Sequence, residues 1–148
     1  NKVLDYGNYT TELHKYSSLQ VGYSDKSNET FNLPKDHIDY GKQVAAYYYW
    51  VFPNMMFNFY PWGLSVNIVK PISTNRTKVS FLTYVYDPSK LHKGAGNDID
   101  KVEREDEFIV ENESKGIQSS FYQSGRFSPT REKGVHHFQR LIAQFLDK

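Results

Sequence analysis

Runs of apolar residues in the middle of the chain have the pattern of strands. Three of them, at residues 45–52, 64–72 and 78–86, are rich in Val, Ile, Tyr and Phe and are bounded by Pro, Gly or Asn. Such composition favours antiparallel strands. The turn Asn75-Arg76-Thr77 joins the last two runs and predicts a hairpin. In the last run both alternating sets of positions carry apolar bulk, so we expect cover on both faces of the sheet.

Short extended pieces and polar turns precede these runs, and helical spacing follows the Gly-rich segment 93–97. Asp98 can cap a helix that runs to about residue 123, and a final helix is expected from about Arg131. The final helix carries an apolar stripe that we expect to face the core: Val135, Phe138, Leu141, Ile142 and Phe145. The pattern predicts one α+β domain over residues 1–148, a twisted antiparallel sheet with two C-terminal helices packed on it.

Charge and hydropathy exclude two classes of partner. The 18 Lys and Arg residues are interleaved with 17 Asp and Glu residues, so no basic face for nucleic acid is expected. The longest apolar stretch, residues 44–60, contains Pro53, Asn54 and Asn58 and is too broken to span a membrane. The chain begins at Asn1 without a signal-peptide pattern, so we expect it to start inside a longer, cytoplasmic protein.

Few residues have a spacing that is typical of a catalytic or metal-binding site. The sequence has no Cys, which excludes thiolate nucleophiles and Cys-bound clusters within it, and its five His residues form no tight ligand pair. His136 and His137 are adjacent on a predicted helix, so we expect one to be packed and the other solvated. Taken alone, the acidic segment 103–107 predicts a solvated helical face with local ion pairs. The residues by themselves indicate no reaction.

Three passages in a fixed order carry a more specific signal. They are residues 47–63, which hold Phe52-Pro53-Asn54 and Pro61-Trp62; Glu105-Asp106 followed by Glu111, Gly116-Ile117-Gln118-Ser119 and Tyr122; and Gly125-Arg126-Phe127-Ser128-Pro129 followed by Glu132 and Gly134-Val135-His136-His137-Phe138. Together they resemble the C-terminal catalytic domain of the Rieske-type non-haem iron oxygenase α subunits, the aromatic-ring-hydroxylating and choline-monooxygenase-like enzymes. The likeness covers nearly the whole chain.

The resemblance implies a helix-grip, START-like catalytic domain, of which this chain is an incomplete part. In that family two His and one Asp hold a mononuclear iron. The matching carboxylate is Asp106, ten residues before Gly116, so Asp106 is the expected iron ligand and catalytic residue. The two His ligands are expected upstream of Asn1. The [2Fe–2S] Rieske domain is expected further towards the N-terminus.

The resemblance also implies the partners of the intact protein. It would be an oxidoreductase, expected as a homotrimer, that takes electrons from an NAD(P)H-dependent reductase or a ferredoxin. With O2 it would hydroxylate or demethylate a small organic substrate, and mono- and dioxygenation both stay open. This chain alone would be inactive.

The substrate class and a rival function also stay open. The aromatic residues between 47 and 62 fit a sheet core, an aromatic cage for a quaternary ammonium group or an apolar pocket for an aromatic ring. The rival function is a non-enzymatic helix-grip module that binds an apolar ligand. A carrier would have no need of the pattern that runs from Glu105-Asp106 to Arg126-Phe127-Ser128-Pro129, which favours the enzyme.

Overall fold

The computed structural model describes residues 9–26, 29–96 and 98–147. Six antiparallel strands form one sheet in which each strand pairs with its neighbour in sequence. The strands are β1 (Tyr9–His14), β2 (Ser17–Tyr23), β3 (Val44–Val51), β4 (Met55–Tyr60), β5 (Gly63–Ser73) and β6 (Arg76–Val85). A 3-10 turn (Pro88–Lys90) and two helices, α1 (Ile99–Ile117) and α2 (Lys133–Leu146), follow the sheet. The predicted α+β order of sheet and then helices is confirmed.

Several boundaries differ from the prediction. The aromatic segment after residue 52 forms a separate strand, β4, paired with both β3 and β5. Helix α1 ends at Ile117, about six residues earlier than expected, because Ser119 starts a turn: its hydroxyl accepts from the Phe121 amide and its carbonyl from the Tyr122 amide. Asp98 occupies the N-cap position without making a side-chain cap hydrogen bond.

Helix α2 packs on the sheet through aromatic rings. Phe138 lies edge-on to Trp50 of β3, with ring centroids 4.8 Å apart, and Phe145 stacks on Phe52 at the same distance. Leu141 is buried between these contacts along the helix, whereas Val135 and Phe145 at the ends of the predicted stripe remain about half exposed. The middle of the stripe therefore faces the core, and its two ends are partly exposed to solvent.

A second apolar cluster lies on the sheet where α1 begins. Trp62, in the β4–β5 turn, is fully buried with Ala45, Ala46 and Tyr60, and its indole stacks on the Tyr60 ring. The Gly-rich segment before α1 closes over these rings. Gly96 has a φ of +74°, and a Cβ there would lie 3.0 Å from the Tyr60 ring, so glycine is needed for both the conformation and the close approach.

The opposite face of the sheet is covered at one end by residues 29–43. Phe31 and Leu33 from this segment pack against Leu19, Val21 and Val44. No helix in the described part of the chain combines the length and hydropathy required to cross a membrane.

Asp39 holds the 29–43 segment to the sheet. Its carboxylate accepts hydrogen bonds from the Tyr47 hydroxyl at 2.9 Å and from Lys42 Nζ at 2.7 Å. The bond from Lys42, supported by that from Tyr47, lowers the pKa of Asp39 below its usual value despite the opposing effect of burial. Burial, together with the bond to Asp39, raises the pKa of Tyr47.

Helix α1 and strand β6 are much more exposed. No residue of α1 is buried, and Val102, Ile109 and Ile117 remain half exposed. Every residue of β6 except Ser80 is exposed as well. Within the described residues, the cover expected on both faces of this strand is absent.

Truncation of Leu141 tests the docking of α2. We expect Leu141→Ala to lower the free energy of unfolding by about 2–5 kcal/mol, because it opens a cavity under a side chain that is 3% exposed. The matched control is Leu146→Ala, which removes the same atoms from the same helix at a position 77% exposed and should change stability little. Urea denaturation of the intact protein measures both, and equal losses would contradict the packing.

Asp39→Asn tests the contacts of the 29–43 segment. The folded-state pKa of Asp39 is depressed, so its contribution to stability is present above the unfolded value of 3.8 and is lost as the pH falls through the folded value. We expect the variant to be about 1 kcal/mol less stable at pH 7 and the difference to shrink below pH 4. Denaturation curves at several pH values measure this, with exposed Asp36→Asn as the control. A difference independent of pH would refute the assignment.

Candidate functional site

The candidate site lies on helix α1, and the attachment of this helix to the sheet determines where the site residues lie. Ile99, the first helical residue, packs against the cluster around Trp62. The Trp62 indole N–H donates to the Ala95 carbonyl at 3.3 Å, which fixes the segment leading into the helix. Tertiary contacts therefore hold the N-terminal end of α1 on the sheet, although its later turns are exposed.

Charged residues are distributed unequally around the first half of α1. Arg104 pairs with Asp100 at 3.4 Å, and Lys101 lies 3.9 Å from Glu105. With 3.6 residues per turn, these pairs occupy one side, while Ile99, Glu103, Asp106 and Val110 share the other. Because Ile99 contacts the sheet, that second side is the one turned towards the sheet.

Glu103 is the most sheltered carboxylate on this side. It is half-buried and lies near the hydroxyl of Ser65 on β5, a residue with no exposed surface. Burial raises the pKa of Glu103, and the negative charges of Asp100 and Asp106 raise it further, while the nearby Ser65 hydroxyl opposes the shift. Glu103 has no basic partner among the described residues.

Asp106, the predicted iron ligand, lies three residues after Glu103 on the same side of α1. Its side chain is exposed, and within the described part of the chain it forms no ion pair. A free carboxylate of this kind is a suitable oxygen ligand for Fe(II).

The described residues do not gather a complete metal site around Asp106. No group of three His, Asp or Glu side chains that could bind one ion occurs within residues 9–26, 29–96 and 98–147. His136 is exposed and lies 5.3 Å from the Phe127 ring, whereas His137 is half-buried, as predicted for the adjacent pair. The two His ligands expected to precede Asn1 lie outside the chain.

A row of polar side chains crosses the sheet on the face that carries both helices. Residues that pair across neighbouring strands point to the same face of the sheet. Following the pairs from β1 to β6 therefore picks out one residue of each strand on that face. This polar row consists of Thr11, Gln20, Tyr48, Asn58, Ser65 and Thr83. Glu103 therefore meets the sheet at the polar row.

The polar row was not predicted from the sequence. The signal that the sequence offered was the presence of polar residues within the mostly apolar strands β4 and β5: Asn58, Ser65 and Asn67. Residues separated by seven positions, such as Asn58 and Ser65, meet only because the β4–β5 register pairs them. The Ser65 hydroxyl also lies 3.2 Å from Asn67 Oδ1, which completes a small buried polar group.

The aromatic residues between 47 and 62 divide between the two faces. Tyr48, Tyr60 and Trp62 pack on one another on the helix-bearing face, with centroids 5.9 Å apart for the tyrosines and 5.1 Å apart for Tyr60 and Trp62. Burial raises the pKa of Tyr48, and that of Tyr60 to about 12. Tyr49 and Phe59 contact each other on the opposite face. The rings of Tyr48, Tyr60 and Trp62 fill the core and leave no open cage among themselves.

An open groove lies at the end of the sheet, away from Asp106. It has a volume of about 650 Å³ and is lined by aromatic residues, including Phe31, Phe59 and Tyr84, together with Lys90. Register places Phe59 and Tyr84 on the face opposite the polar row. The groove is therefore separate from the α1 site.

Much of the three-passage motif has structural roles. Asn54 accepts the Val69 amide with its carbonyl and donates its side-chain amide to the Val69 carbonyl, tying the β3–β4 turn to β5. Before α2, the Ser128 hydroxyl accepts from the Arg131 amide and the Glu132 carboxylate accepts from the Ser128 amide. These reciprocal bonds shape the turn that leads into α2, much as a capping box does.

Comparison with known proteins connects this geometry to a family. The family model "Ring hydroxylating alpha subunit (catalytic domain)" matches residues 20–148. The choline monooxygenase, chloroplastic, of Arabidopsis thaliana is 33% identical over 146 residues, which cover 94% of this chain and 32% of that protein. The corresponding protein of Atriplex hortensis is 31% identical over 97% of this chain and 32% of its own length. The chain thus spans about a third of the length of these relatives.

Solved structures support the fold. The quaternary ammonium Rieske monooxygenase CntA, in complex with an inhibitor, superposes with a TM-score of 0.67 at 21% identity, covering 97% of this chain and 39% of that one. The same enzyme in complex with γ-butyrobetaine gives a TM-score of 0.62 at 22% identity over 93% of this chain and 38% of that chain. The family match over nearly the whole chain confirms the resemblance found in the sequence: the chain belongs to the ring-hydroxylating α-subunit family, as part of its catalytic domain.

Proposed function

We propose that the intact protein is a Rieske-type mononuclear non-haem iron oxygenase in which Asp106 is one ligand of the iron. The observation that carries the proposal is the position of Asp106: an exposed carboxylate without a basic partner in the described residues, on the sheet-facing side of α1. The ion pairs of Asp100 and Glu105 lie on the other side of the helix. Its place in the family motif adds to this argument.

The donor set fits the proposed metal only in part. A carboxylate oxygen suits Fe(II), but a facial site also needs two His ligands, and the described residues do not supply them beside Asp106. We propose that they come from the part of the intact protein that precedes Asn1. When bound, the iron would activate O2 with electrons delivered through a [2Fe–2S] Rieske cluster. The proposed electron source is an NAD(P)H-dependent reductase or a ferredoxin.

The residues of this chain would hold and shape the site. The Trp62 cluster fixes the start of α1, and the buried aromatic rings beneath it exclude water from that end of the sheet. Asp106 would supply one anionic oxygen on the same side of α1 as Glu103. A homotrimer and a cytoplasmic location remain part of the proposal; the similar plant enzymes are described as chloroplastic.

A quaternary ammonium compound is the substrate class we propose. The similar enzymes include choline monooxygenases, and the superposed structures are of a quaternary ammonium monooxygenase. In this chain, Glu103 lies one turn from the proposed ligand Asp106 and has no basic partner among the described residues, so it gives the site a carboxylate that the iron does not bind. Such a charge favours a cation over an aromatic acid.

Asp106→Ala tests the iron assignment. We expect the variant of the intact protein to lose its mononuclear iron and product formation while keeping its Rieske absorbance, because the two metal centres have separate ligands. The matched control is Glu105→Ala, which removes the neighbouring carboxylate from the ion-paired side of α1. Iron analysis and visible absorption measure both. An Asp106→Ala protein with full mononuclear iron would show that another residue is the ligand.

Choline and its neutral carbon isostere 3,3-dimethyl-1-butanol test the substrate class. Their shapes match and only the charge differs. We expect kcat/KM for substrate-dependent NAD(P)H oxidation with the intact enzyme and its reductase to be at least about tenfold higher for choline, since the cation gains electrostatic stabilisation at the site. A neutral aromatic acid serves as the third substrate. Turnover coupled only to the aromatic acid would replace the ammonium proposal with ring hydroxylation.

A further inference from the structure

The two edges of the six-stranded sheet differ in length and in chemistry. Strand β1 has six residues, which include Glu12 and His14, and helix α2 packs beside it. Strand β6 has ten residues, and among the described residues it pairs only with β5. Proteins protect an open edge by keeping the strand short, by placing charges on it or by covering it. Edge β1 has all three of these features, whereas β6 is long and uncovered.

Strand β6 is also apolar along most of its length. Its charged residues, Arg76 and Lys78, stand at its beginning, and residues 79–85 carry no charge. Side chains on both faces of this uncharged part are between 41% and 58% exposed: Val79, Phe81, Leu82, Tyr84 and Val85. An exposed apolar edge of this kind is a template for pairing with a further strand.

Two hydrogen bonds show which backbone groups of β6 point away from the sheet. The Val69 amide donates to the Asn54 carbonyl, and the Tyr86 amide donates to the Trp62 carbonyl. In an antiparallel pair, residues that exchange hydrogen bonds alternate with residues whose backbone groups point away. Odd-numbered residues of β5 therefore bond to β4, and its even-numbered residues bond to even-numbered residues of β6. Three amides of β6 are left pointing outward: those of Val79, Phe81 and Thr83.

The aromatic groove continues this edge at its far end. Its lining includes Tyr84 and Val85 of β6 and Lys90 beyond the strand, and its volume is about 650 Å³. Basic residues thus flank the uncharged part of β6 at both ends, with Arg76 and Lys78 at the other one. Charge complementarity favours a partner strand with an apolar centre and acidic residues near its ends.

A large body of protein fits this surface better than a single added strand. Helix α1 has no buried residue, and its Glu103 lies near Ser65 of β5, the strand beside β6. The uncovered helix and the uncovered edge are therefore neighbours. The chain spans about a third of the length of the two choline monooxygenases, so about two thirds of a protein of that size lies outside it.

We propose that a strand from the part of the intact protein outside this chain pairs with the outer edge of β6 and places an apolar side chain in the aromatic groove. The added strand extends the polar row by one residue beyond Thr83, on the face that carries α1. The inference is independent of the proposed function, because it involves neither Asp106 nor a metal.

Hydrogen exchange of the intact protein, resolved to single residues by fragmentation in a mass spectrometer, tests the pairing. We expect the outward amides of Val79, Phe81 and Thr83 to exchange at least about 100-fold more slowly than those of an unstructured peptide, since each is hydrogen-bonded to the added strand. The amides of Ser80 and Leu82, which bond to β5, are the internal reference. Outward amides that exchange as fast as an unstructured peptide, beside a protected reference, would overturn the inference.

Dilution distinguishes a strand of the same polypeptide from a strand of a second copy. Pairing within one polypeptide does not depend on protein concentration, so the protection of the outward amides should be the same across a dilution series. Protection that is lost as the protein dissociates into monomers would assign the edge to a second copy and refute the pairing proposed.

Two substitutions in the intact protein test the cover of β6 without reference to hydrogen exchange. Phe81 and Leu82 lie on opposite faces of the strand and are 42% and 41% exposed in this chain. We expect Phe81→Ala and Leu82→Ala each to lower the urea midpoint of unfolding about as much as Leu141→Ala does, because the partner buries both side chains. Leu146→Ala is the exposed control. A shift as small as that of the control in either variant would contradict the proposal.

Discussion

The burial of Trp62 is the constraint on which the arrangement of sheet and helix depends. Its indole stacks on Tyr60 and donates to the carbonyl of Ala95, while its own carbonyl accepts the amides of Tyr86 and Asp87. One residue thus joins the β4–β5 turn, the end of β6 and the segment that enters α1. An unsatisfied indole N–H or carbonyl here would be costly, because the side chain has no exposed surface. The direction in which α1 leaves the sheet follows from these bonds.

The local pattern of apolar residues was sufficient to predict most strands and helices. It failed where a side-chain hydrogen bond replaces one of the backbone. The β5–β6 hairpin and the middle of the α2 stripe follow directly from alternation and helical spacing. The end of α1 does not, because apolar Phe121 continues the periodicity while the Ser119 hydroxyl already bonds the Phe121 amide. The long aromatic run that became β3 and β4 could not be divided from composition alone. Its turn is defined by the bonds of Asn54 to Val69, far along the chain.

The candidate site was only partly accessible from the sequence for a related reason. Asp106 came from family resemblance, since one carboxylate in an acidic helix has no distinctive local chemistry. Glu103 was missed because its significance depends on Ser65, thirty-eight residues earlier, lying beneath it after the sheet has formed. Register places Ser65 on the helix-bearing face, and no window of residues around either position contains that information. The indication that the sequence did offer was Ser65 itself, a polar residue within an apolar strand.

The charges of α1 explain how an exposed acidic helix can present a specific site. On the outer side, Arg104 pairs with Asp100 and Lys101 with Glu105, each one turn away along the helix. The helix provides no such base for Glu103 or Asp106, and the raised pKa of Glu103 reflects its burial first and then the crowding of negative charge around it. Crowding of this kind disfavours the helix by itself and is relieved by a cation. A bound metal or a positively charged substrate would therefore stabilise the helix in this conformation.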